Sequence, residues 1–126
     1  MRKRTKSWGE TYIKNILDKK GIKYIREKKF PGCVSPKNNP LRFDFYLPEY
    51  HLLIEFQGKH HYEPVSKRYR AKKVHEYTKV HDMIKKIYCH TRKIPLIEIP
   101  YYHVKSEEDV QKYLKKEFDK IKSNAE

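Results

Sequence analysis

Two acids stand where acids are costly. Asp44 lies between Phe43 and Phe45, and Glu55 between Ile54 and Phe56, so each interrupts an apolar or aromatic stretch. A buried carboxylate without a partner is strongly disfavoured. Ten residues separate the two acids, and among them Pro48-Glu49-Tyr50-His51 reads as a turn, which puts the acids on adjacent strands of a hairpin. Carboxylates so placed can converge on one divalent cation, because hard oxygen ligands suit Mg²⁺ or Mn²⁺ and the metal offsets their mutual repulsion. The alternative is that Asp44 pairs with Arg42 or a lysine, while Glu55 points to solvent from an alternating strand.

Directly after Glu55 comes Gln57-Gly58-Lys59-His60-His61-Tyr62. Gly58 allows a sharp exit from the strand, and the polar residues after it would gather beside a metal held by Glu55. His60 and His61 are neighbours and cannot both face one site from a strand, so at most one serves the chemistry.

These residues need a scaffold, and 126 residues provide for one domain, 1–126, with a basic arm over 1–6 and a frayed end over 123–126. The hydrophobic share of 37% is low, but 13% aromatic residues supply large surfaces to bury. Thirty Lys and Arg against sixteen Asp and Glu give a net charge of +14, which calls for a polyanionic partner, nucleic acid before an anionic membrane. No apolar run approaches the roughly 18 residues needed to span a bilayer, and the basic start is not followed by an apolar signal core. The expectation is an intracellular protein without membrane insertion. Cys33 and Cys89 are far apart and read as free thiols, and neither has the ligand spacing of a zinc site, since His90 is immediately adjacent to Cys89.

Ser7-Trp8-Gly9-Glu10 has capping-box spacing, with Tyr12, Ile13, Ile16 and Leu17 at helical intervals after it and Gly21 to end the helix. Residues 22–26 alternate as a short strand, and residues 30–40 are rich in turn formers and read as a loop. Strands follow over 41–47 and 52–56. Residues 63–73 carry Lys67, Arg68, Arg70, Lys72 and Lys73 with Tyr69 among them and no apolar face, so they read as a loop or an exposed helical turn. From 74 to 91 the residues Tyr77, Val80, Met83, Ile84, Ile87 and Tyr88 keep helical spacing and define the main packed helix, with Lys79, Lys85 and Lys86 elsewhere on its surface. Residues 94–99 form a strand closed by Pro100. Ser106-Glu107-Glu108-Asp109 then opens a last helix whose buried stripe is Val110, Leu114, Phe118 and Ile121. The expected class is α/β, a mixed central sheet flanked by helices in the order α-β-β-β-α-β-α.

Phe43-Asp44-Phe45-Tyr46-Leu47-Pro48, Leu53-Ile54-Glu55-Phe56-Gln57-Gly58, His61-Tyr62, His81-Asp82-Met83-Ile84-Lys85, Tyr88-Cys89 and Ile97-Glu98-Ile99-Pro100-Tyr101 occur in that order. Together they resemble the PD-(D/E)xK nuclease superfamily, in the branch similar to very-short-patch-repair endonucleases and related phage and homing endonucleases. The resemblance spans about residues 7–103, and the ordered set is far more specific than any one piece. It implies a restriction-endonuclease-like sheet and a metal-dependent endodeoxyribonuclease. In that family the strand aspartate and glutamate bind the metal, which corresponds here to Asp44 and Glu55. The third position is usually lysine, or often an acid in this branch, but here it is Gln57. A neutral amide is no proton acceptor, though it can orient water or add its carbonyl oxygen to a metal shell. Lys59 would then supply the missing positive charge. The resemblance favours His61 over His60, for proton transfer or for phosphate contact. An acid on the first helix corresponds to Glu10, although the capping box accounts for Glu10 equally well. Asp82 either joins this constellation or makes an ordinary helix ion pair with Lys85 or Lys86.

The expected chemistry is phosphodiester hydrolysis assisted by Mg²⁺ or Mn²⁺ on Asp44 and Glu55, with DNA as the substrate. Arg2, Lys3, Arg4, Lys67, Arg68, Arg70, Lys72 and Lys73 would contact phosphates, and Tyr69 would stack or pack. Such contacts give affinity without sequence choice, so specificity would come from loops or from a homodimer. A repair nickase or Holliday-junction resolvase would share this site and differ in substrate shape. A non-catalytic DNA-binding module on the nuclease fold is the other alternative, and Gln57 is the argument for it.

Overall fold

The computed structural model describes residues 7–59, 62, 64 and 66–125. Its first helix, α1, spans Trp8–Lys19, and the capping box forms as spaced: Ser7 Oγ accepts the Glu10 N–H at 3.1 Å and donates to Glu10 Oε2 at 2.8 Å. Gly21 takes φ 66°, which turns the chain so that the Ile22 N–H bonds the Leu17 carbonyl at 3.0 Å. Strand β1 (Ile25–Val34) pairs antiparallel with β2 (Pro40–Leu47), which pairs antiparallel with β3 (Leu52–Gln57). Helix α2 (Tyr69–Arg92) crosses over to β4 (Leu96–Pro100), which lies parallel to β3. A 3₁₀ turn (Tyr101–His103) leads into α3 (Glu107–Ala125).

The sheet order is β1-β2-β3-β4, a mixed sheet with helices on both faces. On one face Ile54, Phe56, Ile97 and Ile99 pack against Ile13, Ile16 and Leu17 of α1 and Val110 and Leu114 of α3. On the other, Leu53 and Phe43 pack against Tyr88 and Cys89 of α2. Both cysteines are buried free thiols. No helix among the described residues is long and apolar enough to cross a membrane.

Three expectations need correction. Strand β1 starts later and continues through the turn-rich Phe30-Pro31-Gly32, because a shift of register between Lys29 and Val34 absorbs the irregular residues without ending the pairing with β2. Helix α2 begins at Tyr69 and not near residue 74, so Arg70, Lys72 and Lys73 belong to its start, the exposed helical turn that is one of the two readings of this stretch. Finally, Tyr77, Val80, Met83 and Ile87 are exposed, Met83 by 62%. The apolar contact between the sheet and α2 runs through Ile84, Tyr88 and Cys89, so helical periodicity gave the right element and, in Ile84 and Tyr88, part of the packed stripe.

Candidate active site

Strand β2 rolls over at Asp44. Residues two apart on a strand normally share a face, yet Phe43 packs on the α2 side and Phe45 on the α1/α3 side. The ladder to β3 runs from Leu47↔Leu52 to Phe45↔Ile54 and gives way there to side-chain bonds. Asp44 Oδ2 accepts the Phe56 N–H at 2.8 Å, and the Asp44 N–H donates to Glu55 Oε2 at 3.4 Å. Opposite Asp44, between the pairs Arg26↔Phe45 and Lys28↔Phe43, Glu27 takes φ 51° in the left-handed region. That conformation costs an L-residue roughly 1–2 kcal/mol, so both strands are irregular at the same level.

Glu55 is 6% exposed and shares its face with Leu53, toward α2. There Lys85 Nζ meets Glu55 Oε1 at 2.9 Å, with its side chain 13% exposed and its ammonium 5.3 Å from the Phe43 ring centre. Lys85 is therefore not a surface lysine. Neither acid takes the alternative placement: Arg42 pairs with Glu27 at 3.6 Å, and Glu55 is withdrawn from solvent. Burial, with the charges of Glu55 and Glu10 added, pushes the Asp44 carboxyl up to about 8. Burial also raises Glu55, against the pull of Lys85.

Glu10 reaches the same place from α1. Gly9 makes this possible, since a Cβ there would stand 2.3 Å from the Phe56 ring. Glu10 Oε1 pairs with Arg26 Nη2 at 2.6 Å, and Arg26 Nε donates to the Asp44 carbonyl at 3.2 Å, while Glu10 Oε2 keeps its cap on Ser7. The cap and the approach to Asp44 coexist. Asp82 lies in the middle of α2, where its charge raises Glu55 and Glu98. The adjacent lysines are engaged elsewhere, Lys85 with Glu55 and Lys86 with Glu98 at 3.6 Å.

Gln57 is turned toward β4. Its Nε2 donates to the Glu98 carboxylate, and its Oε1 accepts the Tyr62 hydroxyl at 2.8 Å, so both ends of the amide are engaged within the protein. Lys59 is exposed at the end of the strand. Lys67 and Arg68 precede α2, and Tyr69, Arg70, Lys72 and Lys73 are exposed on its first turn, with Lys73 Nζ 5.8 Å from the Tyr69 ring centre. His61, and with it His60, lies outside the described residues, as do Arg2, Lys3 and Arg4.

Among the described residues, no three His, Cys, Asp or Glu side chains form a ligand group. Mg²⁺ does not need one, because it commonly takes one or two carboxylates and completes its shell with water and substrate phosphate. Asp44 and Glu55 suit that ion: their oxygens are hard ligands and adjacent, Glu55 is buried and Asp44 half-buried.

Lys85, which pairs with Glu55, and Glu98, which pairs with Gln57 and Lys86, carry sequence signals of their own. Lys85 is three and four residues before the buried Tyr88 and Cys89, hence on the same helix face, and Glu98 sits between Ile97 and Ile99 as Glu55 sits between Ile54 and Phe56.

The chain is 30% identical over 118 residues to Uncharacterized protein 094L of Frog virus 3 (isolate Goorha), a match covering 89% of this chain and 71% of the viral protein. The chain belongs to the family of that viral protein. No family model matches the chain. No solved structure matches it either.

Proposed function

We propose that this member of the viral family is a metal-dependent DNA endonuclease of the PD-(D/E)xK type. The observation that carries the reading is the meeting of Asp44, Glu55 and Lys85 at the break between β2 and β3. Two acids and one lysine at a strand break suit phosphodiester hydrolysis: they offer a seat for a cation and a fixed positive charge for the phosphate.

Mg²⁺ or Mn²⁺, when bound by Asp44 and Glu55, supplies Lewis-acid activation of the phosphate and of water. Lys85, anchored on Glu55, places its ammonium toward the charge that develops on the phosphate. It does what Lys59 was expected to do, and it does so from a buried position. Gln57 has a supporting role, fixing Glu98 and Tyr62 beside the acids. Glu10 and Arg26 brace the Asp44 backbone. His61 is the residue proposed for proton transfer.

The first turn of α2 and the segment before it, Lys67, Arg68, Arg70, Lys72 and Lys73, supply phosphate contacts, helped by the positive end of the helix. Tyr69 lies 16 residues before Lys85, roughly 24 Å along the axis. That distance corresponds to roughly seven base pairs of duplex at 3.4 Å each. The basic turn thus holds DNA well away from the cut and adds affinity without choosing sequence. A homodimer would give two such sites for double-strand cleavage. The viral relative is compatible with action inside an infected host cell.

Supercoiled plasmid incubated with the protein in Mg²⁺ tests the reading. Cleavage that EDTA and Asp44→Asn both abolish supports it; plasmid bound but intact in every metal would assign the chain to the non-catalytic DNA-binding class.

A further inference from the structure

We propose that Tyr62, Tyr101 and Tyr102 form a platform on which an unpaired base stacks beside the acids, so that the substrate is DNA carrying an unpaired segment next to the cut. The location of the cut rests on the nuclease reading; the stacking surface itself does not.

The three rings are gathered where β3 and β4 end. Tyr62 is tied to Gln57 by its hydroxyl, and Gln57 is two residues beyond Glu55 on the same strand face, roughly 7 Å away. Tyr101 and Tyr102 follow β4 directly, whose Glu98 is in register with Glu55. A base on this platform and the phosphate at Asp44 and Glu55 would belong to the same or neighbouring nucleotides.

The packing leaves one ring open. Tyr102 stands 5.1 Å from Tyr62 at 72° and 5.5 Å from Tyr101 at 87°, edge-to-face contacts that hold it in place, and the His103 ring covers part of it at 4.7 Å and 39°. It is nevertheless 58% exposed, and Tyr62 is 38% exposed. A single exposed ring needs no explanation, but interlocked rings at the mouth of a site make a rigid apolar surface whose cost of ordering is already met. Lys59 and Lys105, each three residues from a platform tyrosine, are exposed and match the phosphates of a strand laid across it. Bases inside a duplex offer no face for such stacking, whereas a single strand, flap or bubble does.

Binding is measured with a 2-aminopurine oligonucleotide, single-stranded or fully paired, in EDTA so that no cutting intervenes. The wild-type protein should bind the single strand and quench its fluorescence. Tyr102→Ala should weaken that binding roughly 5- to 150-fold, with Tyr102→Phe close to wild type and duplex affinity the same for all three. Tyr62→Ala, at a second position in the cluster, should act in the same direction. Single-strand binding unaltered in both alanine variants, or lost in parallel with duplex binding, overturns the platform. Because the readout is metal-free, a protein that quenches as expected but never cleaves DNA in Mg²⁺ overturns the nuclease reading alone.

Discussion

Asp44 and Glu55 hold each other's strand: the Asp44 carboxylate takes the N–H that follows Glu55, and the Glu55 carboxylate takes the N–H of Asp44. Each side chain fills a place that a ladder carbonyl would otherwise occupy. This is why a buried and a half-buried acid can stand side by side without collapsing the sheet. The proposed cation would offset the negative charge that the backbone N–H groups and one lysine leave uncompensated.

Lys85→Met should destabilise the protein by about 3–5 kcal/mol, because it leaves Glu55 buried and uncompensated. Lys85→Met combined with Glu55→Gln should recover most of that loss. Urea denaturation of the two variants checks it; equal stability of the single and double variants would mean that the pair is not buried as described.

The metal-free protein should lose stability as pH rises. Asp44 titrates near 8 in the folded chain against 3.8 when unconstrained, so its contribution is fully present below about pH 4 and is lost as pH rises toward 8. Thermal melts in EDTA between pH 5 and 9 should show this decline, which Asp44→Asn should flatten. Mg²⁺ should stabilise the wild type more at pH 8 than at pH 6, because the ion binds the ionised carboxylates.

How much of this was legible in the residues depends on the range of the signal. The capping box at Ser7 and Glu10 and the paired strands around Asp44 and Glu55 are local patterns, and they appear in the structure as read. Lys85 and Glu55 are 30 residues apart, and only the rotation of α2 against the sheet brings them together. Periodicity located that helix but could not say which apolar stripe faced inward, because Met83 and Ile87 compete with Ile84 and Tyr88. The roll of β2 at Asp44 was hidden for a related reason: strict alternation assumes a regular strand.

Gly9→Ala should cost about 1–3 kcal/mol or more, since the added methyl would meet the Phe56 ring. The shift of α1 should also move Glu10 from Arg26. A urea midpoint equal to wild type would contradict this close packing.

Cys33 and Cys89 should resist thiol reagents at pH 8 until the protein unfolds. Burial raises both thiols, and Cys89 is pushed up to about 12. Rapid labelling of the folded protein would contradict the α2 packing.

Changing Lys67, Arg68, Arg70, Lys72 and Lys73 to Gln should lower the slope of log Kd against log salt by up to about 4.5, if each touches one phosphate. Fluorescence anisotropy with duplex DNA measures it, and an unaltered slope would remove this turn from the interface.

The most direct test of the account is the initial rate of plasmid cleavage in Mg²⁺ by wild type, Glu55→Gln and Lys85→Gln, each verified as folded. The account predicts cutting by the wild type, none detectable with Glu55→Gln, and a loss of about 100-fold or more with Lys85→Gln, the scale expected for one pre-positioned charge. Wild-type protein that leaves DNA intact, or Lys85→Gln that cuts as fast as wild type, would contradict it.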